Sequence, residues 1–88
     1  MTLHLYATRN KKSGQYGKIT AEVMDEKQAI ESYSVSKLEA PKDQQVYLDE
    51  LELYCLGTYD SATGKIDAGD PIFLLDLGAV EYGKSKAN

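Results

Sequence analysis

Hydrophobic and polar positions alternate at the start of the chain. Leu3, Leu5 and Ala7 form one set, and His4, Tyr6 and Thr8 the other. A period of two marks a half-buried strand. The stretch RNKKSG is polar, ends in glycine and reads as a turn. YGKITAEV alternates again, with Ile19, Ala21 and Val23 opposite Lys18, Thr20 and Glu22. The two runs predict a β-hairpin whose solvent face carries Tyr6 and Lys18.

The period then changes. In MDEKQAIESYSV, Asp25 can cap a helix, and Gln28 three residues later completes a capping box. Ala29, Ile30 and Tyr33 share one helical face. Ser32, Ser34 and Ser36 are poor helix formers, so the helix is expected to be short. KLEAPKDQQ reads as a connection. The clearest strand follows: Leu51, Leu53 and Cys55 alternate with Glu52, Tyr54 and Leu56. DSATGK predicts a turn with Gly64 at positive φ, and GKIDAGDP a short return strand. IFLLDLGAV fits a buried strand or a last helical turn equally well.

The predicted fold is a single α+β domain over residues 1–83, with a flexible tail over 84–88. Its order is β–β–α–β–β plus a short apolar C-terminal element. One helix packs on a small, mostly antiparallel sheet, over Leu3, Leu5, Ile19, Ala21, Leu51, Leu53 and Cys55.

Composition narrows the function. A chain of 88 residues buries only about 60–65% of its unfolded surface, so its stability margin is small. Cys55 is the only cysteine, which rules out an internal disulfide and fits a reducing cytosol. No signal peptide is expected, and no apolar run approaches the roughly 18 residues of a membrane span. A net charge of −4 argues against a protein that coats duplex DNA over its whole surface.

Catalytic and metal motifs fail on spacing. Gly57 and Gly64-Lys65 have six intervening residues where a phosphate loop needs about four, and Ile66 stands where Ser or Thr would hold magnesium. Asp60, Asp67 and Asp70 lie close together, but Ala62 and Gly64 occupy positions that a calcium loop fills with oxygen ligands. Asp60 suits a turn residue bonding its own backbone. His4 and Cys55 are too few for a zinc site, and a cysteine alternating with leucines belongs in a core. No enzyme activity, metal or cofactor is expected.

Charge distribution leaves one lead. Arg9, Lys11, Lys12 and Lys18 are the only charged residues, His4 aside, in the first twenty, and all fourteen acids lie beyond them. Tyr6 and Tyr16 sit within this basic stretch. Cations for phosphates and aromatic faces for unstacked bases are what single-stranded nucleic acid requires. The plainer alternative is a solvated turn whose lysines keep an edge strand from pairing with other chains.

The order of motifs LHLYATRNKKSGQYGKI, DEKQAIESY, ELELYCLGTYDSATGKI and PIFLLDLG resembles the small nonstructural protein of gokushovirus-type microviruses, which are single-stranded DNA bacteriophages. Leu5, Tyr6, Lys11, Lys12 and Tyr16 match its opening strand and lysine-bearing turn, and Asn10 stands near an expected aspartate. Asp25, Ala29 and Ile30 match its capped helix. Glu52, Leu53, Tyr54, Gly57, Tyr59, Asp60, Thr63 and Gly64 complete its most specific motif, and Pro71 closes the pattern. The likeness spans roughly residues 3–78, least well from Ser34 to Asp49. Cys55 stands where the family often has a basic residue.

The resemblance implies a non-catalytic accessory protein that binds DNA in the host cytoplasm as phage synthesis turns to single strands. Joined to the charge pattern, it predicts weak, salt-dependent single-strand binding during replication or packaging. Arg9, Lys11, Lys12 and Lys18 would contact phosphates, and Tyr6 and Tyr16 would stack on bases. A second expectation is an adaptor that meets a phage or host replication or capsid protein through Tyr47, Glu50, Glu52, Tyr54 and Tyr59. Pairing of two copies through an exposed edge strand is compatible with either.

Overall fold

The structure, a computed structural model, describes residues 1–81. The expected tail over 84–88 lies outside them. Strand β1 (Thr2–Asn10) pairs antiparallel with the short β2 (Thr20–Glu22) on one side and with β3 (Leu51–Asp60) on the other. Strand β4 (Lys65–Asp76) pairs antiparallel with β3 and ends in a single 3-10 turn, Leu77–Ala79. The four-stranded sheet runs β2-β1-β3-β4. Helices α1 (Glu26–Glu39) and α2 (Lys42–Leu48) lie between β2 and β3 in the chain. The fold is therefore α+β.

One buried cluster holds the helix to the sheet: Tyr6, Ala29, Leu53 and Cys55, with Met24, Tyr33, Leu74 and Leu75 against it. Tyr6 is fully buried, and its phenol donates to the Met24 carbonyl oxygen at 2.7 Å. A buried tyrosine needs such a partner for its polar end. Burial, with the Glu26 carboxylate next, pushes this phenol far above its ordinary pKa. The expected exposure of Tyr6 is thereby corrected: the helix covers the Tyr6 side of β1, and Leu3, Leu5, Ala7 and Arg9 point the other way. Ile19 is 58% exposed and Ala21 is exposed, so neither packs under the helix as expected. The assignment of Leu53 and Cys55 to the core holds.

The strand pairing shifts register at three places; where Cys55 pairs with Ile72 and Gly57 with Ala68 the faces are kept, and the other two shifts set them. Leu5 pairs with Gly57 and Tyr6 with Cys55, so Leu56 is an extra residue in β3. Gly57 makes the kink possible. It takes φ +142°, and a Cβ there would come 2.3 Å from the Asp67 carbonyl oxygen. In β4, Leu75 pairs with Leu53 and Phe73 with Tyr54, so Leu74 is extra. That lets Leu74 and Leu75 both reach the core.

The helices differ from expectation in length and number. The capping box forms as predicted, with Asp25 accepting from the Gln28 amide and the Gln28 side chain accepting from the Asp25 amide. The serines do not shorten α1, which runs on to Glu39, just before Ala40 and Pro41. A residue preceding proline disfavours helical φ/ψ, which stops it there. The expected connection contains α2. Pro41 starts it, and the Gln45 side chain donates to the Leu38 and Ala40 carbonyl oxygens at 3.2 and 3.0 Å, satisfying the end of α1. The apolar C-terminal element resolves into the end of β4 and the 3-10 turn. The Asp60–Gly64 turn is as expected: Gly64 has φ +77°, and the Asp60 carboxylate accepts from the Ala62 amide.

The core predicts two measurements. The Cys55 thiol should label slowly in the native protein and quickly in denaturant. Leu53→Ala should cost about 2–5 kcal/mol in chemical denaturation, the range for emptying a packed site. Fast native labelling of Cys55 would contradict this strand register.

Candidate nucleic-acid interface

The basic turn is built by its own sequence. The Asn10 side-chain oxygen accepts from the Lys12 and Ser13 amides at 2.8 and 3.0 Å, and the Gly14 amide donates to the Asn10 carbonyl oxygen at 2.8 Å. Gly14 takes φ +74°, a conformation that glycine adopts without strain. Lys11 and Lys12 are thus carried on a tight turn at the end of the sheet. Tyr16 then bridges back to Arg9.

Beyond this turn, aromatic rings gather on the face that α1 leaves open. Ala7 pairs with Tyr54, and Tyr54 with Phe73. The Tyr16 and Tyr54 ring centroids lie 5.3 Å apart and those of Tyr54 and Phe73 5.8 Å apart, both edge-to-face. This is the preferred packing of aromatic pairs. Tyr16 remains 44% exposed and Phe73 52%. Tyr54, in the middle, donates its phenol proton to Glu52 Oε1 at 3.3 Å. Burial first, then the Glu52 carboxylate, raise its pKa. Arg9 donates to the same Glu52 oxygen at 3.3 Å, so one carboxylate fixes both a ring and a cation.

The cations are not bare. Lys11 Nζ lies 2.8 Å from Asp76 Oδ1, and Lys12 Nζ lies 2.8 Å from Glu50 Oε2. These contacts lower the pKa of the Asp76 and Glu50 carboxyls and raise that of Lys12. Asp76 also accepts from the Gly78 amide at 2.9 Å. Lys18 is exposed and makes no ion pair among the described residues.

Of the residues expected to bind nucleic acid, Arg9, Lys11, Lys12 and Tyr16 come together at one end of the sheet. Lys18 follows Tyr16 in the exposed stretch leading to β2. Tyr6 is withdrawn into the core, where no base can reach it. Tyr54 and Glu52, expected on an adaptor surface, belong to this same site, and Glu50 borders it. Tyr59 sits five residues along β3 from Tyr54, about 16 Å away, paired with Leu3 and Ile66. Tyr47 is exposed on α2. The five adaptor residues therefore do not form a separate patch. Sequence reasoning missed Phe73, the only phenylalanine. It lies in an apolar run whose bulge at Leu74 breaks the alternation that would have shown its face. Cys55 is on the covered side, 3.9 Å from Glu26 Oε2, so position 55 does not border the rings.

Away from the rings, a cleft of about 330 Å³ lies between the helices and the 3-10 turn and is lined by Met24, Tyr33, Lys37, Leu48 and Leu77. Its buried lysine is already engaged: Lys37 donates to the Val80 carbonyl oxygen at 2.6 Å and pairs with Asp49 at 2.9 Å. Among the described residues, no three His, Cys, Asp or Glu side chains are placed to hold a metal ion. No helix of the described residues is long and apolar enough to cross a membrane.

Compared with protein-family models, curated proteins and solved structures, the chain finds no match in any of the three.

The ion pairs predict a pH dependence. Glu50 and Asp76 have folded pKa values below their unfolded ones. Their contribution to stability is full above the ordinary carboxylate range of about 4 and is lost as pH falls through the lower folded values. In Lys12→Gln, the Glu50 carboxyl should titrate at a higher pH than in the wild type, followed by its side-chain carbonyl NMR shift. Equal titration in both proteins would show that the pair does not form in solution.

Proposed function

We propose that the protein is a non-catalytic accessory protein of a single-stranded DNA phage, binding single-stranded DNA in the host cytoplasm during genome replication or packaging. The observation that supports this most is the Tyr16–Tyr54–Phe73 cluster on the helix-free face, beside the lysine-bearing turn. A ring on an open sheet offers a surface to every base, because every base has a π-face. Each stacked base contributes about 1–3 kcal/mol. Arg9, Lys11 and Lys12 lie at the same end of the sheet as the rings and, with exposed Lys18, supply the attraction for phosphate. The acidic remainder of the molecule repels DNA and restricts binding to this end.

The adaptor reading draws on a different observation. Ile19 and Ile66 are exposed, and three of the four basic side chains are paired with carboxylates. A protein partner would suit such a surface.

Salt-dependent retention on single-stranded DNA separates the two. Wild-type protein should bind a labelled oligothymidine at low ionic strength and release it as salt rises. Phe73→Ala and Tyr16→Ala should weaken binding with little change in the slope of log affinity against log salt, because stacking releases few counterions. Lys11→Glu with Lys12→Glu should weaken binding and flatten that slope, by up to about 0.7 for each lost phosphate contact. Absence of salt-dependent binding at low ionic strength, in the wild type and in charge-neutralised variants alike, would reject the DNA reading and leave the adaptor.

A further inference from the structure

Asp76 and Glu50 hold the two turn lysines at 2.8 Å, the distance at which a phosphate oxygen would sit. We infer that Glu50 and Asp76 are internal competitors for phosphate, which occupy Lys11 and Lys12 until a nucleic-acid backbone displaces them. The inference rests on the single-strand reading above and assigns a regulatory role within that same site.

Exposure makes the exchange feasible. The Lys12 side chain is 77% exposed, and Lys11 and its partner each keep about a third of their surface in water. Ion pairs this exposed contribute little to folding, so breaking them leaves the domain intact. Their effect falls on binding instead. A lysine that already faces a carboxylate gains less from a phosphate than a bare lysine does. Rising salt weakens the internal pair as well as the phosphate contact, so the two effects partly cancel, and the wild-type salt dependence is shallower than the number of nearby cations implies. Lys18, with no carboxylate partner among the described residues, is the ungated member of the group. Glu52 plays a different part. It accepts from both Arg9 and Tyr54, so it positions the central ring as well as holding a cation.

Glu50→Gln and Asp76→Asn test the inference. Asparagine keeps an oxygen that can accept from the Gly78 amide, so the turn after β4 survives. Glu31→Gln, an exposed acid on α1 away from the lysines, controls for net charge. Native thiol protection of Cys55 confirms the fold in each variant. In anisotropy titrations with labelled oligothymidine, Glu50→Gln and Asp76→Asn should each bind about threefold to tenfold more tightly than wild type, with a slope steeper by up to about 0.7. Glu31→Gln should change neither by as much. Adding Lys12→Gln to Glu50→Gln should remove the gain. If wild type binds and Glu50→Gln and Asp76→Asn gain no more than Glu31→Gln, competition is overturned while the single-strand reading stands. If wild type fails to bind but Glu50→Gln binds with salt dependence, both are supported. If no variant binds at low salt, both fall.

Discussion

The pairing of β1 with β3 across the Leu56 bulge decides what each side of this sheet can do. Tyr6 faces Cys55, and Leu5 faces Gly57, with one residue omitted between. Because side chains alternate with a period of two, a one-residue shift at this point would exchange the covered and open faces. Gly57 fixes the shift. Its φ of +142° and the 2.3 Å approach that a Cβ would make to Asp67 leave room for no side chain. Tyr6 is then drawn beneath the helix, where its hydroxyl meets the Met24 carbonyl oxygen. Tyr54 and Phe73 are turned outward beside Tyr16. The ring cluster is thus a consequence of how the core closes: Tyr54 and Phe73 sit on β3 and β4, and Tyr16 reaches them from the segment after β1, through its bridge to Arg9.

The same strand pairing ties the basic turn to the acidic remainder. Asn10 ends β1 opposite Leu51, so the turn lies against Glu50, and Lys11 donates its amide to the Glu50 carbonyl oxygen at 2.8 Å. Glu52 and Asp76 pair across β3 and β4 at this end. Three carboxylates therefore meet three cations that the sequence, read linearly, keeps far apart: Arg9 from Glu52, Lys11 from Asp76 and Lys12 from Glu50. The charge segregation of the chain is undone by its fold.

Much of the architecture was legible in local signals. The capping box of α1, the Asp60–Gly64 turn and the inward set Leu53–Cys55 each depend on residues close in sequence, and each formed as read. The failures were non-local. Alternation showed that β1 has two faces but not which one the helix would cover. Apolar Leu5 and Ala7 looked like the core side, and a large tyrosine looked like the wet side. Both sets are buried, since Leu5 and Ala7 lie mid-sheet among larger neighbours. Helix α2 was hidden because Pro41 and polar Lys42–Gln45 resemble a connection. It forms because Gln45 closes the end of α1. Phe73 was hidden by the Leu74 bulge. The lysines were found, but their carboxylate partners belong to distant segments that no spacing rule links.

Magnitudes then bear on how such a site would work. Two bases stacked on exposed rings would contribute about 2–6 kcal/mol, which alone corresponds to dissociation constants from tens of micromolar to beyond millimolar. Phosphate contacts add to this only in so far as they beat the carboxylates already present. A lone domain of this kind would hold a strand weakly, and a long strand would offer many equivalent positions to separate copies without tightening any one of them, since only linked modules gain from avidity. Aromatic stacking is indifferent to base identity, and the cations read only the backbone. On the single-strand reading, such a site would suit occupancy of long, bare single strands at high protein concentration. It would give no advantage on duplex, where bases would be unavailable to the rings and the acidic surface would be repelled.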